Sequence, residues 1–169
     1  SMQQVPIQID DSVAQCTIGS DNSDSHTLYV KLDGSLWATG RNYDAMFGTG
    51  NNSWASSVFE IMSSGVAQVH AGSTYVLVLK TDGSLWGCGN NSDGQLGLGH
   101  NSNQNTFQQI VASGVVQISA GRRDVSHYIK SDGSLWGMGY NYYGHLGNGN
   151  QTATNTPGQL VSSDVVQVA

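Results

Sequence analysis

Charge is what this 169-residue chain has least of. Only 11% of its residues are charged, with six Lys and Arg against twelve Asp and Glu, for a net charge of −6. So few cations exclude a surface that tracks phosphates, and nucleic acid is not an expected partner. Proline is scarce too, with 2 residues, and so is cysteine, with 2. Two cysteines build no disulfide framework. No run approaches 18 apolar residues, so no helix-type membrane span is expected. No signal peptide is visible, and Ser1-Met2 reads as a cloning remnant. Glycine, by contrast, is abundant at 22 residues, and the polar surface must be mostly Ser, Asn, Gln, Thr and Gly.

What is present is repetition. Asp-Gly-Ser-Leu-Trp occurs at Asp33–Trp37, Asp82–Trp86 and Asp132–Trp136, spaced by 82 − 33 = 49 and 132 − 82 = 50 residues. A short β-type run ending in Gly precedes each copy: residues 13–19, 66–72 and 115–121. A second run enters the turn at 28–31, 77–80 and 127–130. After the tryptophan comes a Gly- and Asn-rich loop at 42–48, 91–97 and 141–147, and then a further short run at 58–61, 107–110 and 157–160. Asp-Gly between alternating runs predicts a tight hairpin with both central residues at positive φ. Each unit of about 50 residues then gives roughly four short strands and no helix, which is the pattern of a propeller blade. The units read as about 5–57, 58–106 and 107–156, with a partial fourth at 157–169. Cys16 and Cys88 fall at different slots of the unit, beside Val69 and Ile118 in one case and Thr39 and Met138 in the other, and read as separate core fillers.

The quoted pattern, Ala-Gly then Leu-Lys-x-Asp-Gly-Ser-Leu-Trp-Gly-x-Gly-x-Asn-x-x-Gly-x-Leu-Gly-x-Gly, resembles the repeat of the regulator of chromosome condensation (RCC1) superfamily. Residues 90–99 (NNSDGQLGLG) carry the likeness best and 141–149 come close. Residues 42–50 depart, with Ala45-Met46-Phe47 in place of Gly-Gln-Leu. The resemblance covers essentially the whole chain. It implies an all-β fold of about three four-stranded antiparallel propeller blades, open or completed by another chain, where complete members have seven. Residues 6–15 resemble 157–167, so the chain begins and ends on the same part of the unit. This predicts an open array, either cut from a longer protein or natural and self-associating through its blade edges.

No catalytic set emerges. Asp33, Asp82 and Asp132 recur as turn residues. Gly87-Cys88-Gly89 and Gly137-Met138-Gly139 lack the following helix and third glycine of a nucleotide loop. His26, His70, His100, His127 and His145 sit at different unit positions without metal spacing. His127 is the odd residue in an apolar slot. The insertion Asp21–Ser25 lengthens the first repeat by about four residues and holds Asp and Asn oxygens of the kind that bind Ca²⁺, but neither cofactor nor metal is expected. Residues that the repeat does not demand are the better candidates, because binding lives on loops of rigid scaffolds. Arg122, Arg123 and Asp124 stand where the second repeat has only Ser73-Thr74, and Tyr140, Tyr142 and Tyr143 crowd the last long loop, with Tyr43 in the equivalent first one. Arg and Tyr are favoured interface anchors.

These observations point to a non-enzymatic scaffold presenting variable loops to a protein partner. A carbohydrate-binding or adhesive module using the tyrosines is the alternative from another class. The family resemblance adds a third, part of a guanine-nucleotide exchange factor for a small GTPase. The Asn/Ser/Gly-rich surface is similar to that of bacterial members, many of them exported, so a secreted or cell-surface bacterial location is the expectation.

Overall fold

Each Asp-Gly-Ser-Leu-Trp segment closes a hairpin the same way. In a computed structural model describing residues 10–20 and 25–169, Gly34 N–H donates to Lys31 O at 2.9 Å and Lys31 N–H to Ser35 O at 3.0 Å. The connection is therefore a three-residue loop, Leu32-Asp33-Gly34, and only its glycine lies in the left-handed region, at φ 80°. Gly83 and Gly133 repeat it at 79° and 77°, while no hairpin aspartate has positive φ. The expected two-residue turn is thus corrected to a three-residue loop with a glycine bulge. That leaves the aspartate side chain free to act on the strand that follows.

It holds the serine. Ser35 donates its N–H and Oγ–H to Asp33 Oδ1 at 2.9 and 2.7 Å, and Trp37 Nε1–H donates to Ser35 Oγ at 2.8 Å. The same relay joins Asp82, Ser84 and Trp86, and Asp132, Ser134 and Trp136. The hydrogen bonds from each serine hold the aspartate carboxyl below its ordinary pKa. Above each indole sits the lysine that enters the turn, with Lys31, Lys80 and Lys130 Nζ at 4.5, 4.3 and 4.6 Å from the ring centres.

Twelve strands result. β1 (Val13–Ser20), β2 (Ser25–Lys31), β3 (Leu36–Gly40) and β4 (Ala55–Met62) form one antiparallel sheet in chain order. β5 (Val66–Ala71), β6 (Tyr75–Lys80), β7 (Leu85–Gly89) and β8 (Gln104–Val111) form the second, and β9 (Val115–Ala120), β10 (Val125–Lys130), β11 (Leu135–Gly139) and β12 (Thr154–Val161) the third. The hydrogen-bonded units are thus 13–62, 66–111 and 115–161, a different phase of the same period. Among the described residues there is no helix, and none long and apolar enough to cross a membrane. Ser1-Met2, residues 6–9 of the terminal comparison and Asp21–Asp24 of the insertion lie outside the described residues.

The core lies between sheets, not within one. Val76 and Val78 of β6 pack toward Leu28, Val30, Leu36 and Phe47 of the first sheet, and Tyr75, Leu77 and Leu79 of the same strand pack toward Val115, Ile118 and Tyr128 of the third. β6 is covered on both faces, which is why it reads Tyr-Val-Leu-Val-Leu without alternation. Inner strands β1, β5 and β9 run side by side. Gln15 bridges the first pair, with Nε2–H donating to Val69 O at 3.1 Å and Oε1 accepting Val69 N–H at 3.0 Å. Gln68 Nε2–H donates to Val116 O at 3.3 Å across the next joint.

Position within this stack decides burial. Cys88 is fully buried between sheets, where desolvation raises its thiol pKa well above the ordinary value. Cys16 is exposed, because among the described residues no sheet packs outside β1, and its expected core role is corrected accordingly. His127 is only half-buried on β10, and burial lowers its pKa.

Ser84 is 1% exposed and connects Asp82 to the Trp86 indole. Ser84→Ala leaves that indole N–H without its acceptor, so urea unfolding should show a loss of about 1–3 kcal/mol. A loss within about 0.5 kcal/mol, the range of inconsequential substitutions, would show that the relay contributes no net stability.

Candidate functional site

The turn between β9 and β10 is one residue longer than its counterpart before β6, and this extra length is absorbed by Asp124 at φ 54°. Asp is among the few residues that tolerate left-handed backbone. Its carbonyl accepts Tyr140 N–H at 2.8 Å, tying this turn to the loop after β11. The result is an open cleft of about 330 Å³ lined by Asp93, Arg122, Arg123, Asp124, Tyr140 and Tyr143. Tyr142 stands beside it, its ring 5.2 Å from that of Tyr143 and nearly perpendicular at 87°. Arg123 places its guanidinium 5.7 Å from the Tyr143 ring centre. Tyr142 and Tyr143 are each 64% exposed.

Six of the seven sequence candidates therefore converge. Tyr43 does not join them. It lines a second cleft of about 280 Å³ with Asp44, Ala45, Asn52, Asn103, Gln104 and Asn105, one sheet away. There Arg41 lies between two rings, 4.9 Å from the centre of Tyr43 and 5.0 Å from that of Trp54.

Asp124 has a different character from its neighbours. Its Oδ1 accepts Thr74 Oγ1–H at 3.2 Å and Gln95 Nε2–H at 3.1 Å, both from the second sheet's connections. Burial raises its pKa, against those two hydrogen bonds, which lower it. Beneath it, Ser126 Oγ–H donates to Gln95 O at 2.7 Å and Tyr75 OH to Val125 O at 2.7 Å. Asp124 thus riveting two sheets together forms the floor of the cleft, while the arginines and tyrosines form its accessible walls. Asp93 and His145 were missed from sequence. His145 lies 5.7 Å from Tyr140 and 5.9 Å from Tyr143, ring to ring. The signal for both was register: Asp93 holds the slot of Tyr143 one repeat earlier, and His145 the slot of Gln95. Among the described residues no group of three or more His, Cys, Asp or Glu is placed to hold a metal ion.

The loop after each third strand is itself held by a buried asparagine. Asn42, Asn91 and Asn141 accept from Phe47, Leu96 and Leu146 N–H, each at 2.9 Å, and donate to carbonyls of residues 51, 100 and 150. Profiles of the regulator of chromosome condensation (RCC1) repeat match residues 82–123 and 132–169, and a second profile of the same description matches 66–95. The chain belongs to the RCC1-repeat family. Neither profile reaches the first sheet, yet its loop follows the same path, with Ala45 at φ 58° where Gly94 and Gly144 stand at 79° and 75°.

Solved structures agree on the fold. Human WBSCR16 superposes with a TM-score of 0.71 at 26% identity over 87% of this chain and 39% of that one. Prp20p of Saccharomyces cerevisiae, studied for its binding to Gsp1p and histones, gives 0.74 at 16% identity, over 89% and 39%. Yeast RCC1 (Prp20) bound to Kap60 gives 0.68 at 19%, over 92% and 38%. At those identities the two yeast structures speak to the fold alone. The chain spans about two fifths of the length of the proteins in these structures. No curated protein matches it significantly in sequence.

The folded chain protonates Asp124 more readily than the unfolded chain does. Its ionisation therefore lowers stability in full above the folded pKa, and not at all below the unfolded value of about 4. Asp124→Asn keeps the acceptor oxygen and tolerates the backbone. It should melt at or above the wild-type temperature at pH 7, with the difference vanishing by about pH 3. Lower melting at pH 7 would show that the hydrogen bonds from Thr74 and Gln95 to the carboxylate outweigh burial.

Proposed function

We propose that this chain is a non-enzymatic protein-binding scaffold that contacts its partner through the cleft walls formed by Arg122, Arg123, Tyr140, Tyr142 and Tyr143. The observation that carries this reading is convergence. Five side chains that the repeat does not require meet on one exposed surface, held from below by Asp124. Two of the chain's six cations stand there, on a protein of net charge −6. Guanidinium groups favour bidentate pairing with carboxylates, and exposed tyrosines bury large area at little entropic cost. The partner surface that fits is one with carboxylates beside apolar side chains. Prp20p, which binds Gsp1p and histones and is seen with Kap60, supports a protein-binding role for a scaffold of this kind. An exchange-factor role would require more of a propeller face than three sheets supply.

A sugar-binding reading draws on the exposure of Tyr142 and Tyr143. Their rings are nearly perpendicular, at 87°. A flat two-ring platform would need them parallel, so the protein-partner reading is favoured.

The test is partner capture with the whole chain, wild type against two variants of matched melting temperature. Arg123→Ala/Tyr142→Ala should weaken binding of the captured protein by about tenfold or more, while Tyr43→Ala, in the other cleft, should leave it unchanged. Equal binding by all three would contradict the assignment. A glycan signal lost in Tyr142→Ala, with no protein captured, would favour the carbohydrate reading.

A further inference from the structure

The two joints between consecutive sheets are built alike except at one place. In each, the loop after the third strand of one sheet meets the chain entering the fourth strand of the next. Gly50 N–H donates to Asn105 O in the first joint and Gly99 N–H to Asn155 O in the second, both at 2.8 Å. That shared bond aligns Tyr43, Ala45, Asn52 and Asn105 with Ser92, Gly94, Asn101 and Asn155. In the second joint the aligned amides close on one another. Asn155 Nδ2–H donates to Asn101 Oδ1 at 2.8 Å, and Asn101 Nδ2–H donates to Ser92 O at 2.8 Å. In the first joint, among the described residues, no such bond joins Asn52 to Asn105. Asn105 Nδ2–H reaches Gly50 O instead, at 3.4 Å. The cleft of about 280 Å³ lies where that closure is missing.

A single methyl group accounts for the difference. Gly94 packs directly on the next sheet, and a Cβ added there would stand 2.5 Å from Asn155 Cα, closer than packed atoms approach. Ala45 brings that Cβ to the same slot, at φ 58° where Gly94 has 79°. Asn105 therefore cannot approach its loop as Asn155 does, and the first joint stays open at its rim. Alanine tolerates left-handed backbone poorly, so the opening is held against a local strain that the closed joint lacks. Both walls belong to consecutive sheets, which makes the cleft internal to the array.

What lines the opening suits a neutral ring that bears hydroxyls. Asn103 Oδ1 accepts Asn91 N–H at 2.9 Å, which leaves the Asn103 amide nitrogen to donate. Gln104 Nε2–H donates to Ser102 O at 2.9 Å, which leaves its Oε1 to accept. Asn52 adds one donor group and one acceptor. A hydroxyl donates and accepts at once, so a wall of mixed amide donors and acceptors matches it. No Lys or Arg is among the residues lining the cleft, and Asp44 contributes a carboxylate, which disfavours an anionic ligand. Tyr43 supplies the apolar wall. Its ring is 61% exposed and is steadied by Arg41, which stands over it at 4.9 Å. The C–H face of a sugar packs on such a ring while its hydroxyls reach the amides. The volume falls just below the range of about 300–1,000 Å³ usual for small-ligand pockets, which suits one sugar ring.

We propose that the first joint binds a neutral pyranose at the end of a glycan, with Tyr43 against its C–H face and Asn52, Asn103 and Gln104 around its hydroxyls. Ala45 keeps the site open. An open cleft with one ring and a few neutral hydrogen bonds gives weak binding, with Kd on the order of 1 mM. The site shares no residue with the cleft of Arg122, Arg123 and Tyr143, one joint away, so the two assignments fail separately.

The test titrates the full chain with methyl glycosides of glucose, galactose, mannose and N-acetylglucosamine, followed by NMR of the side-chain amides. At least one sugar should shift the amide signals of Asn52 and Asn103 in a saturable way. Tyr43→Ala should weaken that binding by about tenfold or more. Ala45→Gly removes the methyl and relieves its backbone. It should melt no lower than the wild type and still bind at least about tenfold more weakly, so that lost binding is not lost fold. Tyr142→Ala should bind as the wild type does. No saturable shift with any of these sugars up to about 20 mM, well above the expected Kd, would overturn the inference. Binding that persists in either first-joint variant would overturn it too, and a response lost in Tyr142→Ala would move the sugar to the other cleft.

Discussion

An indole N–H given to a serine that an aspartate already holds is the interaction on which this structure rests. It occurs once per sheet, with Trp–Ser distances of 2.8, 2.8 and 2.9 Å. The aspartate fixes the serine, the serine fixes the tryptophan, and the tryptophan gives the incoming lysine a face to lie on. Two strands and their turn are locked by side chains drawn from seven consecutive residues, before any other sheet is present. The leucine of the same motif is left pointing to the joint between sheets, where Leu36 and Leu85 are fully buried. A motif that determines both the hairpin and the direction of its apolar neighbour yields the same sheet each time it is written.

Identical sheets then stack by short-range contacts. The cores lie between neighbours, the inner-strand glutamines bridge them, and the glycine loops of one sheet take the outer strand of the next. Stability in such an array is a sum of sheet and joint terms, and the end sheets have one joint fewer. The exposure of Cys16, Ile18 and His145 follows from that count and not from their residue type. Freedom to vary falls on the connections, above all on the extra residue before Val125, whose left-handed Asp124 turns two arginines outward over a cluster of tyrosines.

The sequence made the period, the strand content and the hairpins legible, because those depend on residues close along the chain. Val-Ala-Gln and its copies were visible as strands, but that Gln15 reaches Val69, 54 residues on, was not. The side chain's task lies across a joint that periodicity alone does not orient. The Asp-Gly pair suggested two left-handed residues. The loop has three residues instead, which lets the aspartate accept from the serine. Arg122, Arg123 and the three clustered tyrosines stood out because the repeat does not ask for them. Tyr43 was grouped with them on loop equivalence, but its loop belongs to the first sheet, two sheets from theirs.

Hydrogen exchange of the four tryptophan indole N–H groups, followed by NMR, tests the central claim most directly. Trp37, Trp86 and Trp136 are anchored on serines, while Trp54 is 68% exposed. Three slowly exchanging indoles and one fast one are the predicted result. Four indoles exchanging alike at the rate of free tryptophan would contradict it, and with it the relay as the element that sets each sheet.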